Sequence, residues 1–216
     1  MPKGSIFQIP NLVSLSRIFL TPFVAYFLWK GDMPSTHICA LLLILAGITD
    51  ALDGYLARKL NQISDLGKTL DPLADKIMAG ILVILLILFR DFPVWLAAVI
   101  IGRDLLIMIA GLILLQGKKI VVPSNLTGKY AFSAIAFLIG SYIYRFPFGI
   151  WFTTYITLFY ITLSMYFYAR VFVFIKKGLN PPVFKDKPLY KILRWICVDL
   201  FIAIYFYKFY VFMMGG

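Results

Sequence analysis

Four aspartates at two fixed spacings are the residues of this sequence best suited to chemistry. Asp50 and Asp53 lie three residues apart, and Asp71 and Asp75 lie four apart, so each pair would share one face of a helix. Ionisable residues inside a membrane helix cost about 2.5–3.5 kcal/mol each at its centre, which makes them functional candidates. The short segment 59–69 predicts two antiparallel helices whose four carboxylates converge near one end.

Four converging carboxylates repel one another unless cations or protons cancel their charge. Two divalent ions would do so, and the lack of His or Cys in reach favours Mg²⁺ or Mn²⁺ over Zn²⁺. Paired metals neutralise charge that develops on phosphate during phosphoryl transfer. The alternative is an intramembrane salt-bridge network, which would need about as many buried cations. The candidates for these are Arg58, Lys76, Arg17 and Arg103.

Three small residues and one arginine accompany the acids. Gly54 and Ala57 lie on the same predicted helix face as the first acid pair, which leaves room for a substrate or for a close helix contact. Gly67 precedes the second pair, where a bend or a close backbone approach is expected. Arg58 supplies a forked donor suited to a diphosphate or to a carboxylate.

The composition places these residues in a membrane. Of the 216 residues, 62% are hydrophobic and 14% are charged, whereas soluble domains carry about 25% charged residues. The net charge of +11 arises mainly between apolar segments, which favours positive cytoplasmic loops over nucleic-acid binding. Cys39, Cys197 and His37 lack metal-ligand spacing and are interpreted as structural, and residues 1–10 lack the features of a signal peptide.

Apolar stretches long enough to cross a bilayer predict an all-α bundle with six core transmembrane helices. A seventh stretch, near 192–214, contains Arg194, Asp199 and Lys208, and we expect it to span rather than to lie in the interface. The chain is therefore expected to divide into a transmembrane domain over 1–178 and a C-terminal linker and helix over 179–216. The predicted core spans are 11–30, 36–58, 71–90, 93–116, 128–145 and 149–175.

Alternate loops differ in their number of basic residues, which sets the expected orientation. The side of the membrane with more basic residues carries Lys3, Arg58, Lys59, Lys68, Lys118, Lys119, Lys129, Lys176, Lys177, Lys185, Lys187 and Lys191. The side with fewer basic residues carries Lys30, Arg90, Arg145 and Lys208. We therefore expect an integral protein of the inner (cytoplasmic) membrane whose N-terminus and acid set face the cytoplasm.

The acids and small residues form the pattern Asp-x2-Asp-Gly-x2-Ala-Arg-x8-Gly-x3-Asp-x3-Asp over residues 50–75. This pattern resembles the signature of the CDP-alcohol phosphotransferase family. The start of the chain, Ile9-Pro-Asn-Leu-Val-Ser-Leu-Ser-Arg17, is similar to the first helix of the phosphatidylglycerophosphate and cardiolipin synthases of that family. The resemblance covers about residues 8–175, and the tail from about 179 falls outside it.

The resemblance implies a metal site on the four aspartates, of which Asp75 would also be the general base for the acceptor hydroxyl. The residues that it implies for contacts to the CDP moiety are Gly54, Ala57, Arg58 and Gly67. The acceptor oxygen would attack the β-phosphorus of CDP-diacylglycerol, and CMP would leave. A homodimer with six core helices is typical of the family.

Two further basic residues bear on the acceptor. Arg103, in Gly102-Arg103-Asp104 of the fourth span, and Lys129, at the start of the fifth, would hold an anionic acceptor such as glycerol 3-phosphate. The alternatives are that Arg103 pairs with Asp104 or with an acid of another span, and that Lys129 is a positive-inside anchor. Phosphatidylglycerophosphate synthases typically carry a second basic residue two places after this lysine, where this chain has Ala131. The Arg-Asp pair is closer to eukaryotic-type cardiolipin synthases.

Glycerol 3-phosphate is nevertheless the favoured acceptor, because phosphatidylglycerophosphate synthesis is the commonest role for a chain of this length and start. Phosphatidylglycerol is the second candidate, followed by serine, inositol phosphate and other alcohols. An ion-coupled transporter is the alternative from a different class, since it would bind ions with the same acids. Transporters often show internal repeats, and residues 93–216 contain no second copy of the acid pattern.

Overall fold

The computed structural model describes the backbone of residues 9–59, 67–117, 126–177 and 188–215, and the side chains of 19–49, 78–111, 113, 126–177 and 191–215. Within these residues the chain forms seven α-helices and no strand, which confirms the predicted all-α membrane bundle. The helices are α1 (Ile9–Lys30), α2 (Met33–Lys59), α3 (Gly67–Arg90), α4 (Val94–Gly117), α5 (Leu126–Ile143), α6 (Pro147–Lys176) and α7 (Pro188–Gly215). They belong to two compact units, Met1–Val94 and Trp95–Gly216.

Apolar windows identify the helices that can cross a membrane. Four windows among the described residues are long and apolar enough, namely Val94–Gly111, Leu126–Ile143, Pro147–Lys176 and Lys191–Gly215. Shorter apolar segments, Met33–Thr49 and Met78–Arg90, belong to α2 and α3. The stretch predicted near 192–214 is thus one continuous helix of sufficient length to span. Large apolar side chains such as Phe132 are exposed, as expected for residues that face lipid.

The first unit is built around α1, which packs against both α2 and α3. Gly31 links α1 to α2 with φ +72, a conformation that favours glycine. Arg90, the last residue of α3, is buried against this link, and its Nη1 lies 3.3 Å from the position that a Cβ on Gly31 would take. Its Nη2 donates to Thr36 Oγ1 at 3.5 Å. Arg90 therefore ties the end of α3 to the start of α2.

Asp32 directly precedes α2, at the position where a carboxylate stabilises a helix N-terminus. A side-chain hydrogen bond with Ser35 lowers the pKa of Asp32, and nearby Lys30 acts in the same direction. The Lys30 Nζ lies 3.7 Å from an Asp32 carboxylate oxygen. Asp32 is therefore ionised at neutral pH and faces the positive end of the α2 dipole.

The second unit contains a tight turn between α5 and α6. Arg145 has φ 50, and the backbone N–H of Phe146 donates to the Ser141 carbonyl at 2.9 Å. Gly149 in the first turn of α6 lies so close to α5 that a Cβ there would meet the Phe146 ring, and would lie 2.7 Å from Ser141 Oγ. Beyond it, small and polar residues recur along the buried face of α6, at Gly149, Thr153, Thr157 and Ser164. Small residues allow such a close helix approach in a membrane.

Aromatic contacts align α7 with α5. The Phe137 and Phe201 rings lie 5.3 Å apart, and the Tyr144 and Phe209 rings lie 5.0 Å apart. The residue numbers rise together along both helices, so α7 runs parallel to α5. The Tyr205 hydroxyl lies 3.0 Å from Ser141 Oγ, in the buried part of this contact. Ring pairs of this kind contribute about 0.5–1.5 kcal/mol each beyond area burial, so α7 is fixed mainly by aromatic packing.

Candidate functional site

The four predicted acids lie near the ends of two helices that follow each other in the chain. Asp50 and Asp53 are in the last turns of α2, and Asp71 and Asp75 are in the first turns of α3. Their side chains lie outside the described ones, so their roles as metal ligands stay predictions. The same holds for the residues assigned to CDP, which are Gly54, Ala57, Arg58 and Gly67.

The described side chains beside the acid set show how the two helices meet. Ala46 of α2 and Met78 of α3 line one small cavity, together with Thr21 of α1. Asp50 follows Ala46 by about 6 Å of helix rise, and Asp75 precedes Met78 by about 4.5 Å. The acid-bearing segments therefore continue the helices that line this cavity, and the convergence of the four carboxylates stays a prediction.

The chemistry of this donor set fits a hard divalent cation. Aspartate oxygens are the ligands that Mg²⁺ and Mn²⁺ prefer. Among the side chains that the structure describes, no group of three or more His, Cys, Asp or Glu could hold a metal ion. The Thr49 hydroxyl donates to the Ala46 carbonyl at 2.9 Å and is thereby fixed against the α2 backbone. The four aspartates remain the candidate metal ligands.

Arg103 is held in place by two hydrogen bonds inside the second unit. Its Nη1 lies 2.6 Å from Asp104 Oδ1, so the Arg–Asp pairing considered as an alternative is present. Its Nη2 donates to Ser164 Oγ at 2.9 Å. The side chain is 12% exposed, and its buried Nε has no hydrogen-bond partner within the described part of the chain. Since a guanidinium has five N–H donors, it keeps capacity for an anion beyond these two bonds.

The arginine also reaches the start of α5. Its Nη2 lies 3.4 Å from the position of a Cβ on Gly128, and the Tyr168 hydroxyl lies 3.5 Å from the same point. Glycine at 128 thus permits both side chains to approach the helix closely. Lys129 is the next residue and is exposed. The structure therefore brings Arg103 beside the Gly-Lys step that the sequence had linked to it only by charge.

Ser164 and Tyr168 were not identified from the sequence. They lie four residues apart on α6, so they share one face, which is the face turned toward Arg103. Two polar residues at this spacing in an apolar helix were the available clue. Ala131 is fully buried, so a second basic residue at that position would lie in the packed face of α5. This gives a physical reason for the missing charge.

Arg103, Asp104, Ser164 and Gly128 together are called the Arg103 cluster. An apolar groove adjoins this cluster. It has a volume of about 540 Å³ and lies between α4 and α6, with Leu106, Ala110, Tyr168 and Phe172 among its lining residues. Tyr168 belongs both to this groove and to the polar contacts at Gly128. A ligand with a charged group at Arg103 and a hydrocarbon chain would therefore find a suitable surface for each part.

Comparison with known proteins gives matches over most of the chain. A family model described as CDP-alcohol phosphatidyltransferase matches residues 7–178. A CDP-diacylglycerol–glycerol-3-phosphate 3-phosphatidyltransferase of Bacillus subtilis (strain 168) is 41% identical over 137 residues, which are 57% of this chain and 70% of that protein. A protein with the same description from Aquifex aeolicus (strain VF5) is 38% identical over 126 residues, which are 57% of this chain and 68% of that protein.

A second group of relatives carries a different description. A probable cardiolipin synthase (CMP-forming) of Drosophila melanogaster is 40% identical over 113 residues, which are 52% of this chain and 34% of that protein. The chain thus spans about a third of that longer relative. Neither group includes a match that by itself assigns the acceptor.

Proposed function

Because this chain belongs to the CDP-alcohol phosphatidyltransferase family, we propose that it moves the phosphatidyl group of CDP-diacylglycerol to a hydroxyl acceptor and releases CMP. The proposal is supported by the cavity that Ala46 of α2 and Met78 of α3 line together, since these residues lie next to the acid-bearing segments. The acceptor that we favour is glycerol 3-phosphate, in keeping with the description of the Bacillus subtilis relative.

In the proposed reaction the four aspartates hold Mg²⁺ or Mn²⁺, which when bound would neutralise charge on the diphosphate. Asp75 also accepts the proton of the acceptor hydroxyl. The acceptor oxygen forms a bond to the β-phosphorus of the donor, the bond from that phosphorus to the CMP oxygen breaks, and CMP leaves with the electron pair. Gly54, Ala57, Arg58 and Gly67 bind the CDP moiety.

The acceptor phosphate is assigned to the Arg103 cluster. This assignment is supported by the position of the Arg103 guanidinium beside Gly128. Ser164 accepts a hydrogen bond from one guanidinium nitrogen, and Lys129 lies one residue further along α5. A fork of N–H donors matches the geometry of a phosphate. Asp104 offsets part of the charge, so affinity for the anion would depend on Lys129 as well.

Cardiolipin synthesis, with phosphatidylglycerol as the acceptor, is the second candidate. The groove of about 540 Å³ between α4 and α6 favours it, because a water-soluble acceptor needs no apolar surface beside Arg103. The buried Ala131, in place of a second basic residue, points the same way. The description of the Drosophila relative is in keeping with this alternative.

The proposal extends to the location, oligomeric state and domain organisation of the chain. The apolar helices make the chain an integral membrane protein, and we place it in the inner membrane with its acid set toward the cytoplasm. We further propose a homodimer, and a transferase domain over 1–178 followed by an additional helix over 179–216. The membrane lipids supply the donor, and no nucleic acid takes part.

The experiment that tests the function is acceptor-dependent CMP release. The purified protein in detergent would receive CDP-diacylglycerol and Mg²⁺ or Mn²⁺, with each acceptor added separately and with a chelator in a parallel sample. Release that needs both metal and glycerol 3-phosphate supports the favoured reaction, and release that needs phosphatidylglycerol supports the second. No release with any acceptor from folded, metal-loaded protein contradicts the proposal. Metal-dependent ion flux in liposomes without CMP release would favour the transporter.

A further inference from the structure

A second groove lies between α5, α6 and α7. Its volume is about 530 Å³, within the range of ligand pockets, and most of its lining is apolar or aromatic. Phe137, Phe159 and Phe201 contribute rings, and Ser133 and Cys197 contribute small side chains. None of the lining side chains carries an Asp, Glu, Lys or Arg charge. The groove therefore offers a hydrocarbon-like surface with few hydrogen-bonding groups.

This groove exists only because α7 is present. The family model ends at residue 178, and α7 begins at Pro188, so one wall lies outside the part shared with the family. Its lining residues come from positions 130–137, 155–160 and 197–202, none of which belongs to the acid set. A role for the groove is thus separate from the proposed transfer reaction.

The position of the groove along a membrane-crossing helix determines which molecules can occupy it. The α7 window Lys191–Gly215 is long and apolar enough to cross a membrane, so the groove lies at the level of the bilayer hydrocarbon. Water is a poor occupant, because an apolar cavity gives it too few hydrogen-bond partners. A lipid acyl chain fits both the volume and the lining.

One end of the groove is positively charged. The Arg194 Cζ lies 6.0 Å from the centroid of the Tyr130 ring, and Tyr130 is a lining residue. Lys191 lies three residues before Arg194 and so on the same side of α7. Such a pair of cations beside a hydrocarbon surface attracts a phosphate headgroup.

We propose that the groove between α5, α6 and α7 binds an anionic phospholipid of the surrounding leaflet, with one acyl chain along Phe137 and Phe201 and the headgroup phosphate at Arg194. The bound lipid fills the space that α7 leaves against α5 and α6. It is a resident lipid of the bundle and takes no part in the transfer of the phosphatidyl group.

Native mass spectrometry of the purified chain tests this proposal. The protein in detergent would be titrated with phosphatidylglycerol or with phosphatidylcholine of the same acyl chains. Wild-type protein is expected to retain phosphatidylglycerol with about fivefold higher affinity, the factor expected for one basic residue near a membrane surface. Arg194→Gln should abolish this preference, whereas Lys208→Gln, which changes a cation farther along α7 at the Phe148 ring, should keep it.

A second pair of variants tests the groove itself. Ser133→Trp fills it from α5, and Ala136→Trp adds the same side chain at an exposed position that does not line it. Retained lipid should fall severalfold in the first variant only. Equal retention by the two variants overturns the proposal. A loss of dimer in Ser133→Trp with unchanged lipid also overturns it, because the groove would then seat a second copy of the chain.

A measurement on the unaltered protein covers the case in which Ser133→Trp fails to fold. Cys197 lines the groove and is exposed, whereas Cys39, the other cysteine, is buried. Phosphatidylglycerol should slow the reaction of Cys197 with a small maleimide in detergent, and phosphatidylcholine should slow it less. An unchanged rate, or equal slowing by the two lipids, contradicts the assignment.

Discussion

At the scale of single residues, the proposed metal site depends on the negative charges of four aspartates, which α2 and α3 do not need in order to fold. The four aspartates lie on α2 and α3 near the cavity shared by Ala46 and Met78. A neutral amide of the same shape can occupy such a position without altering the helix. Removing one charge therefore separates a catalytic role from a structural one.

Asp71→Asn is expected to lower turnover on the order of a thousandfold, because an amide is a far weaker ligand for Mg²⁺ and leaves the charge of the site unbalanced. The measurement is CMP release per folded molecule, with size-exclusion behaviour and helical content as tests of folding. Asp32→Asn, which changes an exposed acid outside the set, should leave turnover near the wild-type value. Turnover of Asp71→Asn near the wild-type rate would remove the two-metal interpretation.

Ser164 is expected to act as a positioning residue for Arg103. Ser164→Ala removes the acceptor of the 2.9 Å bond from Nη2, and the loosened guanidinium should raise KM for a phosphorylated acceptor about tenfold while kcat changes little. Initial-rate kinetics with varied acceptor and varied CDP-diacylglycerol would separate the two constants.

Thr162→Ala is the matched control for this variant. Its hydroxyl donates to the Leu158 carbonyl within α6 and makes no contact with Arg103. An equal rise in KM in both variants, or a fall in kcat alone, would mean that Ser164 serves only the packing of α6.

The sequence showed Arg103 to be significant, because a charge inside an apolar span needs a reason. It did not show Ser164, which lies 61 positions away from Arg103. Local spacing predicts which residues share a helix face, but a contact between helices depends on how side chains pack across them. The Asp104 pairing was predictable as an alternative because the two residues are adjacent.

At the scale of the elements, the α5–α6 turn depends on the absence of a side chain at one position. Gly149→Ala places a Cβ against the Phe146 ring and Ser141 Oγ, and neither belongs to a flexible surface side chain. We expect a loss of about 2 kcal/mol of stability, the usual cost of overpacking a buried site. Thermal unfolding in detergent measures the effect.

Gly140→Ala provides the comparison on the neighbouring helix. A Cβ at Gly140 meets nothing within 4 Å, and alanine favours the helical conformation by up to about 1 kcal/mol over glycine. This variant should be neutral or slightly more stable. A similar loss in both variants would contradict the close approach at Gly149 as the cause, because Gly140 has open space for a Cβ.

The positions of the helices were predicted well where the bilayer imposes the length. The span expected at 93–116 is Val94–Gly117, and the one expected at 149–175 is Pro147–Lys176. The largest differences are at the starts of α3 and α7, where the helices begin four residues before the predicted 71 and 192, at Gly67 and Pro188. A hydropathy pattern marks the apolar segment, whereas a helix continues into polar sequence for as long as its backbone bonds can form.

At the scale of the whole molecule, orientation follows from the distribution of basic residues. In a Cys197→Ser background, Lys177→Cys should react with a membrane-impermeant thiol reagent in inverted vesicles, and Lys30→Cys should react in right-side-out ones. Both lysines are exposed, so a lack of labelling cannot be attributed to burial. The opposite pattern would place the acid set on the outer face and contradict the proposed access to CDP-linked substrates.

The end of α3 has a consequence for how the chain is made. Arg90 ends α3 and is synthesised late in the first unit, yet its guanidinium lies against Gly31 and donates to Thr36, at the turn made some fifty residues earlier. A nascent chain emerges N-terminus first, so the α1–α2 hairpin waits in the bilayer with this turn uncovered until α3 has been delivered. The third helix thus completes the packing of the first two. If translation stalls before residue 90, the α1–α2 turn stays uncovered and accessible to quality-control proteases.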